Sequence, residues 1–76
     1  MKDKIPLERV KAGESATVYK INTNAALGVR LRDLGFVKGA KVSLLYEGHG
    51  IKAYGICGTV IALRDSDAAC VEVIYG

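Results

Sequence analysis

A short run of helically spaced leucines, in the segment LGVRLRDLGFVKG, narrows the folds open to this chain more than any other feature. Leu27, Leu31 and Leu34 recur at i, i+4 and i+7, which places all three on one face of an α-helix. Gly35 follows the last leucine directly, and a residue without a Cβ is favoured where a helix ends in the left-handed conformation. Phe36 comes next, at the position whose hydrophobic contact accompanies such a cap. The segment therefore predicts a short helix that stops at a glycine.

Strand patterns surround this helix on both sides. The other apolar segments are short, rich in β-branched and aromatic residues, and separated by turn residues. They predict five strands, at residues 16–21, 41–46, 51–57, 60–63 and 70–75. Residues 7–10 predict one turn of helix or a loop packed on the core, and the polar residues 22–24 are suited to cap the main helix at its start. Gly28 lies inside that helix and costs it about 1 kcal/mol relative to alanine, so the helix depends on tertiary packing.

The order of these elements predicts a mainly β fold in a single domain over residues 1–76. Five short strands cannot form two sheets around a thick core, whereas a small bent sheet that closes on itself removes its exposed edges. We therefore predict a five-stranded SH3-like barrel, with the helix between the first and second strands and its leucines covering one open end. An exposed final strand offers a pairing edge to a second copy, so the expected state is a monomer or a weak homo-oligomer.

Composition excludes several classes of protein. The net charge is only +3, and the chain contains no tryptophan and one phenylalanine. Nucleic-acid binders usually carry more positive charge, so this composition argues against nucleic-acid binding. Two cysteines are too few for a disulfide-rich secreted domain, and the N-terminal residues do not resemble a signal peptide. No apolar run approaches the roughly 18 residues that a membrane span requires. We expect a cytoplasmic protein with reduced thiols and no insertion into a membrane.

The chain resembles the ferrous-iron transport protein A (FeoA) family, whose fold also occurs as the C-terminal domain of some iron-dependent repressors. The residues that carry the resemblance are 7–14, Ala16, Val18, 31–35, Gly39, Gly58, 61–64, Val71 and Val73. Lys38 stands where the family often has proline, and Gly55 and Cys57 stand where it tends to have larger or charged residues. These departures concern a turn and the surface, and they leave the fold unchanged.

The resemblance implies a small cytoplasmic accessory protein of bacterial ferrous-iron uptake. Its implied partner is the membrane transporter FeoB, bound through the cytoplasmic G-protein domain of that transporter. The implied mode of action is protein–protein binding that modulates transport, with no catalysis by this chain.

The residues themselves predict neither an enzyme nor a metal or cofactor site. His49 is the only histidine and lies between two glycines, so no base is held rigidly beside a nucleophile. The soft-ligand candidates for a transition metal are His49, Cys57 and Cys70, but the two cysteines do not form a C-x-x-C pair. A hard-oxygen metal site could use Asp65 and Asp67, but two aspartates in such a turn more often cap a helix.

Partner binding is the hypothesis that the residues favour. Arg30, Arg32, Lys38 and Tyr54 are predicted to form the binding surface, on the outer face of the helix and the adjoining loops. Lys41 and Lys52 extend this basic rim, and about half of the tyrosines are expected in the core.

Three alternatives stay open at the level of the sequence. A small RNA-binding barrel would need a positive groove with exposed stacking aromatics. A stand-alone sensor domain, like the C-terminal module of an iron-dependent repressor, would need a peptide or metal ligand. An enzyme would need converging acid, base or nucleophilic groups, which the chain does not supply.

Overall fold

Six short strands and two helices build the described part of the chain, residues 3–75 of a computed structural model. The elements are β1 (Lys4–Pro6), β2 (Ser15–Ile21), α1 (Ala25–Asp33), β3 (Lys41–Gly48), β4 (Ile51–Ile56), β5 (Thr59–Arg64), α2 (Asp65–Ala68) and β6 (Val71–Tyr75). A 3-10 turn, Leu7–Arg9, follows β1 directly. The mainly β prediction is confirmed, as are the single turn near residue 7 and the main helix.

All strand pairs are antiparallel, and the sheet order is β1-β6-β2-β3-β4-β5. The predicted strand number was wrong because β1 was missed: it has three residues and contains Pro6, and only its pairing with β6 defines it. The predicted closure was also wrong, because β1 and β5 remain unpaired with each other within residues 3–75. In chain order, α1 accordingly lies between the second and third strands, β2 and β3.

The final strand, β6, is not at an edge of the sheet. It pairs with β1 on one side and with β2 on the other. The sequence-based expectation of an exposed final strand was therefore wrong, because a short N-terminal strand covers it. The longer free edge in the described chain is β5, which pairs on one side only, with β4.

An asparagine side chain caps the N-terminus of α1. The Asn24 side chain accepts the backbone N–H of Leu27 at 3.0 Å, which satisfies one of the donors that a helix start leaves unpaired. This confirms the predicted polar cap.

A Schellman motif ends α1. Gly35 has a φ of +111°, its N–H bonds the Arg32 carbonyl at 3.0 Å, and the Phe36 N–H bonds the Leu31 carbonyl at 3.0 Å. Leu31 and Phe36 are both buried in the core. Leu27 and Leu34 are partly buried and pack against that core. The predicted glycine stop, the inward Phe36 and the inward leucine face are therefore confirmed.

The loop after α1 returns to β2 and is fixed there by two backbone hydrogen bonds. The Val18 N–H donates to the Ala40 carbonyl at 2.9 Å, and the Gly39 N–H donates to the Val18 carbonyl at 2.8 Å. Gly39 has a φ of +93°, which suits a glycine at this turn. β3 pairs with β2 only through residues 15–17, so the loop takes over as the neighbour of β2 at Val18.

A β-bulge interrupts β2 at the same place. Val18 pairs with Val73 and Lys20 pairs with Glu72, which leaves Tyr19 as the extra residue. Bulges bend a strand and re-aim the side chain at the bulge. The second half of β2 and the end of α1 therefore face each other across an open space.

Candidate functional site

A groove separates the second half of β2 from the C-terminal end of α1, with a volume of about 360 Å³. We call it the β2–α1 groove. Its lining residues come from two segments of the chain: Val18, Tyr19, Lys20 and Ile21 from β2, and Arg32, Phe36, Val37 and Lys38 from α1 and the loop after it. The Schellman motif and the bonds to Val18 set the distance between these segments. The groove is therefore a direct product of how the helix ends.

Tyr19 is the centre of the cationic rim of this groove. The Lys4 Nζ lies 4.3 Å from the centroid of the Tyr19 ring, and the Lys38 Nζ lies 5.2 Å from it. Both distances are within the range of a cation–π contact. The bulge turns Tyr19 towards these two lysines, which come from β1 and from the loop after α1. One ring thus holds two ammonium groups at the mouth of the groove.

The cations around the groove form no ion pair with any carboxylate of residues 3–75. The only ion pair within residues 3–75 joins Lys52 to Asp65, at 2.8 Å. Lys4, Lys20, Arg32 and Lys38 are all exposed, and the residues that line the groove include no aspartate or glutamate. The groove therefore combines an apolar floor with positive charges that are free to pair with a bound anion.

The predicted binding residues do not form one surface. Arg32 and Lys38 lie together at the β2–α1 groove. Arg30, on the same helix, lines a separate depression of about 200 Å³ shared with Arg64 and Asp67. The sequence could place the two arginines on one exposed helix, but the depressions on either side depend on which strands lie next to it.

Tyr54 lies in the core, and its predicted place on the binding surface is corrected. It is 0% exposed, its hydroxyl donates to the Leu7 carbonyl at 3.5 Å, and burial raises its pKa well above the usual tyrosine value. Lys52 shares the buried face of β4, and its ammonium donates to the Asp65 carboxylate, which contributes to a raised Lys52 pKa. It therefore does not extend the basic rim. The residue type left the place of Tyr54 open, because a tyrosine suits an interface as well as a core.

Sequence reasoning missed the other polar groups around the groove: Tyr19 and Lys20 in its lining, and Lys4 beside the Tyr19 ring. Lys4 lies in the strand that was not predicted. Tyr19 was considered as an interface tyrosine, but only the bulge, which results from pairing with β6, shows where it lies.

The sequence matches the model of the family described as "FeoA domain" over residues 5–75. The chain belongs to the FeoA family. This family is associated with ferrous iron transport. A comparison with curated proteins finds no match.

Solved FeoA structures share the fold of this chain. The FeoA of Stenotrophomonas maltophilia, described as a zinc complex and a procaryotic SH3 domain protein, is 34% identical over 88% of this chain and 86% of that one, with a TM-score of 0.79. The FeoA of Chlorobium tepidum is 31% identical over 99% of this chain and 70% of that one, with a TM-score of 0.82. The SH3-like part of the fold prediction is therefore confirmed, for an open sheet of six strands.

A manganese-dependent transcriptional repressor has the same fold in part of its length. The likeness covers 100% of this chain and 44% of the repressor, at 15% identity and a TM-score of 0.90. This FeoA chain thus spans less than half of that protein. At such low identity, the likeness concerns the fold alone.

The candidate metal ligands of this FeoA chain do not converge. Within residues 3–75, no group of three histidine, cysteine, aspartate or glutamate residues is placed to hold a metal ion. The Cys57 thiol lies 3.8 Å from the Gly35 carbonyl, and the Cys70 thiol lies 3.5 Å from the Ser66 carbonyl.

The predicted capping role of Asp65 was wrong. The residue at the N-cap of α2 is Arg64, and no side chain bonds there. The Asp65 carboxylate accepts from Lys52 instead. This ion pair ties the short helix to the buried face of β4.

None of the helices in the described chain is long and apolar enough to cross a bilayer.

Proposed function

We propose that this protein is a cytoplasmic accessory factor of ferrous-iron uptake that binds the cytoplasmic G-protein domain of a FeoB-type transporter and catalyses no reaction itself. Membership of the FeoA family supports the link to iron transport. The observation that supports the binding role is the β2–α1 groove, where Arg32 and Lys38 lie exposed beside an apolar floor and pair with no carboxylate in the described part of the chain. Such a surface suits the docking of another protein, because electrostatic attraction speeds encounter and apolar burial holds the complex.

The proposed binding surface is the β2–α1 groove, with Arg30 at the neighbouring depression as a separate contact. The two sites lie on different sides of α1, so one variant in each distinguishes them. Charge reversal of Arg32 and Lys38 changes the groove, and charge reversal of Arg30 alone changes the other depression.

The test measures binding of the full chain to the isolated cytoplasmic domain of the transporter from the same organism, by calorimetry or interferometry. The groove variant is Arg32→Glu with Lys38→Glu. The matched control is Arg9→Glu with Lys41→Glu, since both residues are exposed and neither lines the groove. Each double reversal takes the net charge from +3 to −1, so the two variants differ only in where the charge changes.

We expect the groove variant to bind about tenfold more weakly or worse than the control, because each rim charge contributes some tenths of a kcal/mol and reversal adds repulsion. Both variants should keep the unfolding temperature of the parent to within a few degrees. If the parent chain binds, and neither the groove variant nor Arg30→Glu binds more weakly than the control, the interface lies on another surface. No binding by the parent chain would remove the proposed partner.

A further inference from the structure

We infer that the β2–α1 groove binds an extended acidic segment of the partner, with carboxylates at the lysines of the rim and an aliphatic side chain on the floor. This inference deepens the proposed function, because it names the chemistry that the same site recognises. It concerns the ligand of the groove and is testable without the transporter.

The shape of the groove favours recognition through side chains. The backbone N–H and carbonyl of Val18 are both bonded to the loop after α1, so a ligand strand cannot pair with β2 at this residue. The exposed groups in the groove are instead long side chains from both walls, and Ile21 and Val37 are the apolar lining residues that remain partly exposed. Val37 is 45% exposed, which offers an apolar contact beside the charges. An extended segment can place alternate side chains on such a floor and at its rim.

The charge of the groove decides which side chains fit. Four cations surround it, from β1, β2, α1 and the loop after α1: Lys4, Lys20, Arg32 and Lys38. None has a carboxylate partner within residues 3–75. Carboxylates form short, charge-assisted hydrogen bonds with lysine and arginine, and arginine can hold one through two parallel bonds. A ligand with several glutamates or aspartates complements this rim, whereas a basic ligand is repelled.

The same groove is poorly suited to single-stranded RNA. Sequence-tolerant RNA binding relies on aromatic rings that are free to stack on bases. Tyr19 already contacts two ammonium groups, and Phe36, the other aromatic residue of the lining, is fully buried. RNA would therefore have only the charges to bind, without a stacking platform.

The experiment is an NMR titration of the labelled full chain with three probes at low salt. The first probe is a short capped peptide in which glutamates flank a single leucine. The second is the same peptide with glutamine at every glutamate. The third is an oligouridylate with the same net charge as the first. Two variants of the protein accompany the parent: Lys20→Gln with Lys38→Gln in the groove, and Arg9→Gln with Lys41→Gln outside it.

We expect the acidic peptide to shift the amide signals of residues 18–21 and 32–38, and to bind about tenfold more weakly to the groove variant than to the outside variant. The glutamine peptide should produce no saturable shift. Raising the salt from about 50 mM to about 300 mM should weaken the acidic peptide several-fold, because exposed charges are screened.

The inference is overturned if the acidic peptide shifts signals away from the groove or none at all, if the glutamine peptide binds equally well, or if the oligouridylate binds the groove more tightly. These outcomes are independent of the transporter. If the chain binds the transporter domain but not the acidic peptide, the proposed function stands and this inference fails. If it binds the acidic peptide at the groove but not the transporter domain, the groove chemistry stands and the proposed function fails.

Discussion

The substitution Gly35→Ala tests how the helix stop supports the rest of the fold. Gly35 has a φ of +111°, a backbone conformation that residues with a Cβ rarely adopt. A Cβ added to it would lie 3.2 Å from the Cys57 Sγ and 3.7 Å from the Cys57 Cβ. The replacement therefore meets two separate penalties, one in the backbone and one in packing.

The expected loss of stability is about 2 kcal/mol. A non-glycine residue in such a conformation costs on the order of 1–3 kcal/mol. Replacing glycine by alanine also stabilises the folded state by about 0.4–1 kcal/mol, because alanine lowers the conformational entropy of the unfolded chain. The close approach to the Cys57 thiol adds on the order of 0.5–1 kcal/mol, since the thiol has to move by a few tenths of an ångström. For a chain of this size, about 2 kcal/mol lowers the unfolding temperature by roughly 10 °C.

Urea and thermal unfolding, followed by circular dichroism, measure this loss. Gly39→Ala is the matched control, because Gly39 also has a positive φ, of +93°, but an added Cβ would meet nothing within 4 Å. We expect Gly35→Ala to cost about 0.5–1 kcal/mol more than Gly39→Ala. In a Cys57→Ala background this difference should largely disappear. Equal costs for the two glycines in the parent chain would refute the packing argument, and a cost near zero for both would refute the backbone argument.

Three further predictions concern single contacts. Gly28→Ala should raise the free energy of unfolding by about 0.5–1 kcal/mol, since the new Cβ meets only the guanidinium end of a flexible arginine, at 3.4 Å. Asp65→Asn should lower it by about 1–2 kcal/mol, because it leaves the Lys52 ammonium, 11% exposed, without its partner. Glu14 has a lowered pKa, mainly because its carboxylate accepts the Lys11 N–H and also a tyrosine hydroxyl. The Glu14 carboxylate therefore contributes to the free energy of unfolding above about pH 4.5, and this contribution is lost as the pH falls through its folded-state pKa. In Glu14→Gln, the free energy of unfolding should fall less steeply with decreasing pH in this range, as measured by urea unfolding at a series of pH values.

The helix and its caps could be predicted because their causes are local. Three leucines at helical spacing, Asn24 before them and Gly35 after them act within a few residues of one another. The sheet edges could not be predicted in the same way. β1 has three residues, and Pro6 among them cannot donate a backbone hydrogen bond, so nothing in its own sequence marks it as a strand. It becomes a strand through β6, a partner at the other end of the chain.

The candidate site shows the same division between local and distant causes. Arg32 and Lys38 could be predicted as neighbours of one surface because exposed cations next to a helix end are visible in the sequence. Tyr54 was misplaced because a tyrosine suits an interface as well as a core, and its burial depends on packing against Leu7, which is distant in the chain. Tyr19 was not assigned to the groove because its bulge depends on the register between β2 and β6.

The feature that ends the helix also builds the groove, so the proposed binding surface depends on how the helix folds. After the Schellman motif the chain returns to Val18. The backbone of Val18 bonds to this loop, where it would otherwise bond to a neighbouring strand. That loop carries Lys38 to the ring of Tyr19, while the last turn of α1 presents Arg32 to the same groove. The cations therefore converge although no carboxylate of residues 3–75 forms an ion pair with them, and the two backbone hydrogen bonds of Val18 fix the loop that carries Lys38. A surface fixed in this way is ordered before a partner arrives, so less conformational entropy is lost on binding than with a flexible basic tail.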